Sequence, residues 1–205
     1  MLFTGPHDYF NQDYVREWTE SANSKRPFRA RFFDEFAEEL SGFSQPKILD
    51  LGAGPGFLAE RLLSGRDIAS YHLFDFSPHM LELARERLAR FGGRTSFYQG
   101  SFLEDNWREA LPAPFDVVVS IQAVHELRNP SRVSRLYREA GTLLTQNGVV
   151  LIADEVASDG DDAGPFLTVD GHLSALTEAG FKDIREVLAS VDLAMFSARW
   201  HRTNL

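Results

Sequence analysis

Three glycines at alternate positions, Gly52, Gly54 and Gly56, stand between the apolar run Ile48-Leu49-Asp50-Leu51 and a second one opening at Phe57-Leu58. A strand that runs straight into such a turn, and then into a helix, gathers backbone N–H groups at a point a ligand can approach closely; cofactors are held this way. The spacing narrows the kind of cofactor. A dinucleotide fingerprint, G-x-G-x-x-G, needs its third glycine at position 57, where Phe57 stands. A phosphate loop ends in lysine followed by serine or threonine, and no lysine or arginine occurs from residue 48 to residue 60. Carboxylates flank the turn instead: Asp50 precedes it and Asp75 closes the next apolar run. Farther on, His125 and Glu126 follow the apolar run Phe115 to Ile121. A histidine titrates near neutral pH and can take a proton from a hydroxyl or an amine. Asp154 and Glu155, after another apolar run, are further candidates for a polar substrate, and no metal site is expected.

The elements that must position these groups alternate in type. The strand before the glycine turn leads into a short helix reaching Leu63 and closed by Gly65, and then into a strand ending at Asp75 and Phe76. Ser77-Pro78 is a helix start, cap then N1 proline, and that helix carries Leu81, Ala84, Leu88 and Phe91 inward before stopping at Gly92-Gly93. Thr95 to Gln99 alternates like a strand. A second half is expected to comprise a helix around Asn106 to Leu111, a buried strand from Phe115 to Ile121, a helix from Pro130 to Leu144 stopped by Asn147-Gly148, and a strand from Val149 to Asp154. The acidic loop from Glu155 to Pro165 is expected to be a mobile lid segment, Val169 to Ala179 a last helix, and Phe181 to Ala189 with Leu193 to Trp200 a closing hairpin. Residues 1 to 26 are polar and aromatic without a clean period, whereas Pro27 opens a segment whose Phe28, Phe32, Phe36 and Leu40 share one helical face. The fold class is therefore α/β, a doubly wound, mostly parallel sheet with one antiparallel strand at its edge and helices on both faces. In such a sheet ligands lie at the carboxyl ends of the strands where the order reverses, which brings Gly52, Asp75, Ser101 and Ser120 together.

The chain of 205 residues, 43% of them hydrophobic, suits a single domain over residues 1–205, with residues 1–44 a helical extension that covers the core. A net charge of -9 without a basic stripe disfavours nucleic acid as a partner. Zero cysteines exclude disulfides, thiolate metal sites and cysteine nucleophiles. The opening Met1-Leu2-Phe3-Thr4-Gly5-Pro6-His7-Asp8 lacks the basic and apolar regions of a signal peptide, and no run reaches membrane-spanning length. A cytoplasmic protein without membrane contact is expected.

The G-x-G-x-G turn after Asp50, the acidic strand end in Tyr71-His72-Leu73-Phe74-Asp75-Phe76-Ser77-Pro78-His79-Met80-Leu81, Gln99-Gly100-Ser101-Phe102, Phe115 to Leu127 and Ala179-Gly180-Phe181 recur in one order. Together, over residues 45 to 200, they resemble the class I S-adenosylmethionine-dependent methyltransferases of small-molecule type. The resemblance implies seven strands in the order 3-2-1-4-5-7-6, with strand 7 antiparallel, and S-adenosylmethionine as cofactor, released as S-adenosylhomocysteine. It assigns Gly52, Ala53 and Gly54 to the cofactor loop, Asp75 to the ribose hydroxyls, and Phe76 and Met80 to the flanks of the adenine. Met80 is equally readable as core. Many members carry an aspartate where this chain has Ser101, a weaker acceptor for the adenine amino group; the Phe102 N–H supplies another adenine contact. Ser120 and Ile121 end the fourth strand. Asp50 either orders the loop, meets the cofactor ammonium through water, or is purely structural. Arg26, in the basic cluster Ser24 to Arg31, is chosen for the cofactor carboxylate, against the reading of that cluster as a solvated helix start.

Methyl transfer from a sulfonium is an in-line displacement with an activated leaving group, so positioning and water exclusion carry most of it and a base is optional. Ser120-Ile121-Gln122-Ala123 stands where methyltransferases of exocyclic amines show Asn-Pro-Pro-Tyr or its Asp-Pro-Pro-Tyr variant, which disfavours exocyclic amines as acceptors; oxygen is expected ahead of nitrogen or carbon. His125 either serves as the base or packs against the following helix, and Glu126 orients it or binds substrate. Tyr9, Phe10, Tyr14 and Trp18 either roof the acceptor site or pack a docked helix. Two alternatives stand beside the small-molecule methyltransferase: a non-catalytic S-adenosylmethionine-binding protein, and a nicotinamide oxidoreductase. The second is disfavoured by the glycine spacing, and no tyrosine has a lysine four residues on.

Overall fold

The computed structural model describes residues 7–157 and 166–201. Seven strands form one sheet: β1 (Lys47–Leu51), β2 (Ser70–Asp75), β3 (Thr95–Gln99), β4 (Phe115–Ile121), β5 (Leu144–Glu155), β6 (Phe181–Ala189) and β7 (Leu193–Trp200). Their order is β3-β2-β1-β4-β5-β7-β6, with β7 antiparallel to both neighbours and the other pairings parallel. The order reverses between β1 and β4, where Asp50 pairs with Leu73 on one side and Val119 on the other.

Alternation along the strands sorts the core into two layers. Ile48, Tyr71, Leu73, Val117 and Val119 face α2 (Arg29–Glu39), α3 (Phe57–Gly65) and α4 (Pro78–Leu88). Leu49, Leu51, Phe74, Val118 and Val150 face α5 (Pro130–Thr142) and α6 (Val169–Ala179). Phe32 and Phe36 of α2 are fully buried, each contributing about 2 kcal/mol by the area it removes from water. Phe28, expected on that face, is instead the N-cap residue and 40% exposed. The N-terminal segment without a clean period contains a helix, α1 (Gln12–Lys25), capped by the Asn11 side chain accepting from Tyr14 N. Ser77 caps α4 in the expected way, accepting from Met80 N.

Two expected boundaries differ. Residues 106–111 form turns rather than a helix, closed by bonds from Glu109 N to Asn106 O and from Leu111 N to Arg108 O. So short a helix does not recover its nucleation cost, and burial of Trp107, whose indole N–H donates to Glu139 at 2.7 Å, holds the turns instead. The helix expected to reach Leu144 ends at Thr142, and Leu144 already pairs with Phe115. Asn147-Gly148 is an irregularity inside β5, where the partner register moves from Phe115↔Leu144 to Val117↔Val149 and Asn147 takes φ 65°. Of the Glu155 to Pro165 loop, positions 158–165 lie outside the described residues.

Candidate active site

A cavity of about 260 Å³ opens at the carboxyl ends of β1, β2 and β4. The glycine turn forms one wall. Gly52 takes φ 72°, and a Cβ there would stand 2.3 Å from the Ala123 Cβ, so only glycine lets the turn meet the segment after β4. Gly54 takes φ 54° and a Cβ there would meet nothing within 4 Å, because this residue borders open cavity. Its N–H donates to Asp75 Oδ2 at 2.8 Å, while Asp75 Oδ1 accepts from Ser77 N at 2.9 Å. Burial pushes the Asp75 carboxyl up to about 6, against the pull of N–H groups from Ser77, Gly54 and Phe76. Each carboxylate oxygen keeps lone pairs for further donors.

Of the residues expected at the cofactor, Arg26, Gly52, Ala53, Gly54, Asp75, Phe76, Met80, Ser101, Phe102 and Ile121 line this cavity. Ser101 Oγ also accepts from Leu103 N at 3.2 Å. Asp50 and Ser120, also expected at the cofactor, do not line it; for Asp50 the position suits the structural reading. Strand alternation turns Asp50 into the layer of α2, α3 and α4, where its Oδ2 accepts from the Tyr71 hydroxyl at 2.8 Å. Burial first, and Asp75 as well, push the Asp50 carboxyl up to about 7 against the Tyr71 bond. Ser120 points to the opposite layer and donates to the Leu51 carbonyl at 2.7 Å, tying β4 to β1 at the switch point.

The extension brings a group that sequence reasoning missed. Arg29 is 6% exposed, lines the cavity, and its Nε and Nη1 have no hydrogen-bond partner among the described residues. Its guanidinium lies 5.4 Å from the Phe33 ring and 5.8 Å from the Phe57 ring. Burial, with Arg26 adding to it, lowers its pKa to about 10, which still leaves it charged at neutral pH. A buried cation without an anion costs several kcal/mol, on the order of 3 to 5, so an anion entering the cavity would be favoured here. Arg29 shares a helical face with Phe32, Phe33 and Phe36, and an arginine at a core-facing position was the available signal.

From residues 7–26 of the same extension, His7, Tyr9, Trp18 and Arg26 reach the cavity, whereas Phe10 and Tyr14 are not part of its wall. The Tyr9 carbonyl accepts from Ser77 Oγ at 2.6 Å, and its ring meets Trp18 and Phe76 edge-on at 6.2 and 5.8 Å. Burial, then Glu126 and Tyr14, push the Tyr9 phenol up.

The remaining wall follows β4. His125 and Glu126 sit in a 3-10 turn, Val124–Leu127, bracketed by Gln122 and Arg128 at φ 52° and 50°. Asp154, fully buried at the end of β5, accepts from His125 N at 2.7 Å and Glu155 N at 2.9 Å, and lies 2.6 Å from His125 Nδ1. His125 Nε2 lies 3.8 Å from Glu126 Oε1, and Arg128 is 3.8 Å from the other oxygen of Glu126. Glu155, also on the cavity wall, accepts from Gln122 Nε2 at 3.1 Å. Burial alone would lower the His125 pKa, but the charge and hydrogen bond of Asp154, with Glu155 and Glu126, raise it to about 9. The imidazole is therefore protonated at neutral pH in this state. Among the described residues, no group of three or more His, Cys, Asp or Glu could hold a metal ion, and no helix is long and apolar enough to cross a membrane.

Residues 43–196 match the family model described as a methyltransferase domain. The chain is similar to the release factor glutamine methyltransferase of Deinococcus radiodurans, 39% identical over 83 residues that cover 40% of this chain and 28% of that one. It is also similar to the mitochondrial ubiquinone biosynthesis O-methyltransferase of Schizosaccharomyces pombe, 30% identical over 131 residues covering 60% of this chain and 46% of that one. The chain thus spans less than half the length of these curated relatives. In fold it is similar to human N-acetylserotonin methyltransferase in complex with S-adenosylmethionine, with a TM-score of 0.72 at 19% identity, over 95% of this chain and 58% of that one.

Proposed function

The chain belongs to the class I S-adenosylmethionine-dependent methyltransferase family, and we propose on that premise that it transfers a methyl group from S-adenosylmethionine to an oxygen of a small-molecule acceptor. The observation that carries the proposal is one cavity holding both the Asp75 and Gly54 cradle and His125 in the grip of buried Asp154.

The residues present fit this cofactor. The partnerless nitrogens of Arg29 suit a carboxylate, with Arg26 beside it as the second donor; Arg29 thereby takes the leading role that the sequence assigned to Arg26. Asp75 suits the ribose hydroxyls, and Phe76 and Met80 suit the flanks of an adenine. When bound, the cofactor supplies a methyl carbon on a positive sulfur, a leaving group that needs no protonation. His125 must lose its own proton before it can accept one at Nε2, and a positive charge brought into the cavity favours that loss. Asp154 keeps the ring oriented through Nδ1, and Glu126 is placed to stabilise the imidazolium that forms on transfer. Tyr9 and Trp18 cover the cavity and exclude water, in the manner of a lid. Oxygen is preferred because Ser120-Ile121-Gln122-Ala123 replaces the amine-selective tetrapeptide, and because one similar relative is an O-methyltransferase.

The test is incubation with methyl-labelled S-adenosylmethionine and fractionated small metabolites, beside thermal shifts with S-adenosylmethionine, S-adenosylhomocysteine and NAD. Label in a small-molecule fraction, with shifts for the first two ligands alone, is expected. A shift with NAD only would sink the cofactor assignment, and cofactor binding without label transfer would leave the non-catalytic reading.

A further inference from the structure

Arg87, in the last turn of α4, spends its side chain on residues 55–60, the end of the glycine turn and the start of α3. Its Nε donates to the Pro55 carbonyl at 2.8 Å, its Nη1 donates to Glu60 Oε2 at 3.1 Å, and its guanidinium lies 4.1 Å from the centre of the Phe57 ring. Glu60 is held in turn by Arg90 at 3.3 Å. A surface ion pair with Glu60 alone is worth about 0.5 kcal/mol and needs neither the carbonyl nor the ring. What sets this arginine apart is that Pro55 and Phe57 both line the cavity, whereas Arg87 itself does not.

Phe57 also meets Arg29. The Arg29 guanidinium lies 5.8 Å from the Phe57 ring and 5.4 Å from the Phe33 ring, while its Nε and Nη1 have no hydrogen-bond partner among the described residues. A cation without hydrogen bonds is placed by the rings it touches. Phe33 belongs to α2, as Arg29 does, so it moves with Arg29; the Phe57 ring relates the guanidinium to the glycine turn. The ring can do so only as far as it is itself held, and Arg87 holds it together with the Pro55 carbonyl before it. We propose that Arg87 is a positioning residue of the cofactor site: gripping Pro55 and Phe57 from outside the cavity, it sets the ring against which Arg29 is aimed at the cofactor carboxylate. This rests on the reading of Arg29 as the donor to that carboxylate.

The test compares two ligands by titration calorimetry: S-adenosylhomocysteine, and methylthioadenosine, which has the same adenine and ribose without the amino-acid end. Arg87→Met should weaken S-adenosylhomocysteine by about fivefold and methylthioadenosine by less than about twofold. Arg87→Lys, which keeps a charge for the ring but not the two-pronged grip on Pro55 and Glu60, should recover part of the loss. In an Arg29→Met background, Arg87→Met should cost nothing further, because the group it positions is gone. A folded Arg87→Met that loses both ligands equally, or neither, would overturn the proposal, since a merely structural role lowers Tm without separating them. If Arg87→Met does not fold, a Phe57→Leu that separates the ligands no more than the wild type overturns it instead. Wild type that does not bind S-adenosylhomocysteine, or Arg29→Met that binds it normally, sinks the reading of Arg29 and this proposal with it. Loss of affinity in Arg29→Met without loss in Arg87→Met sinks this proposal alone.

Discussion

The two ends of the cavity are built from different materials. Toward β1 and β2 the wall is largely backbone: a glycine turn fastened by Gly52 N and Ala53 N to the Phe74 carbonyl, and one carboxylate, Asp75, set by backbone N–H groups, Gly54 and Ser77 among them. Toward β4 and β5 it is side chain: His125 meets Asp154 across 29 residues of sequence and Gln122 meets Glu155 across 33, with Glu126 beside His125 in the same turn. A backbone cradle depends on local spacing, because φ values and turn geometry are set by neighbouring residues. A side-chain cluster depends on which distant strand ends the sheet brings together. The first should be sensitive at its carboxylate and at Gly52, where a Cβ would meet Ala123, and the second should respond wherever one partner is removed.

The largest expected effect is on the cradle. Asp75→Ala should weaken cofactor binding by about 100-fold, the scale of two hydrogen bonds to a charged group, and His125→Ala by less than about threefold. The variant should also lose stability, since Gly54 N and Ser77 N lose their acceptor. Equal affinities in wild type and Asp75→Ala by titration calorimetry would remove the ribose assignment.

Next in size is Arg29, the proposed leading donor to the cofactor carboxylate. Arg29→Met should raise the melting temperature of the free protein, because a buried cation without a partner disappears, yet weaken the cofactor by roughly 30-fold. Arg26→Met should cost only about threefold, because that side chain is more open to solvent. A free Arg29→Met protein no more stable than wild type would show that the guanidinium is satisfied in some other way.

The side-chain end has its own signature in pH. His125 is raised from 6.5 to about 9 on folding, so its contribution is complete below pH 6.5 and lost as pH rises through 9. That amounts to about 2 kcal/mol between pH 7.5 and pH 10. The raised carboxyls of Asp75 and Asp50, at about 6 and 7, have largely finished titrating below this window. Chemical denaturation across the window should therefore show stability falling more steeply with pH in the wild type than in Asp154→Asn, the fall common to both near pH 10 coming from Tyr9, Tyr71 and Tyr137, whose phenols burial pushes up. Parallel curves would mean that Asp154 does not hold the imidazolium.

The same contrast explains what the sequence disclosed. The strands, the glycine turn and the place of Asp75 at a strand end were legible because apolar runs punctuated by Gly and Ser-Pro carry them locally, and the sheet order followed from the family resemblance that those motifs bear together. The fate of Asp50 was not, since it depends on Tyr71 reaching across from β2. The Asp154–His125 pair joins a strand end to a turn 29 residues away, and neither residue alone announces it. The turns at 106–111 are held by Glu139, a tertiary partner that overrides local helical preference. Arg29 lay in plain view, but its charge drew it to the surface in the reading of a cluster whose helix turns that position inward.

The smallest expected effect tests whether the cradle or its cover carries cofactor binding. Ser77 serves both: its Oγ accepts from Met80 N to cap α4, and donates to the Tyr9 carbonyl to fasten the segment carrying Tyr9. Ser77→Ala should cost about 1 kcal/mol of stability, the usual size of a lost cap. Asp75 keeps its own bond from the residue 77 N–H, which the substitution leaves intact, so the carboxylate stays in place. If the backbone cradle carries the affinity, cofactor binding should weaken by no more than about twofold, seen mainly as faster release. A loss approaching that of Asp75→Ala would reverse the contrast: the extension held by Ser77, with Tyr9 and Trp18 on the cavity wall, would then be the principal cofactor-binding element, and the glycine turn only its floor.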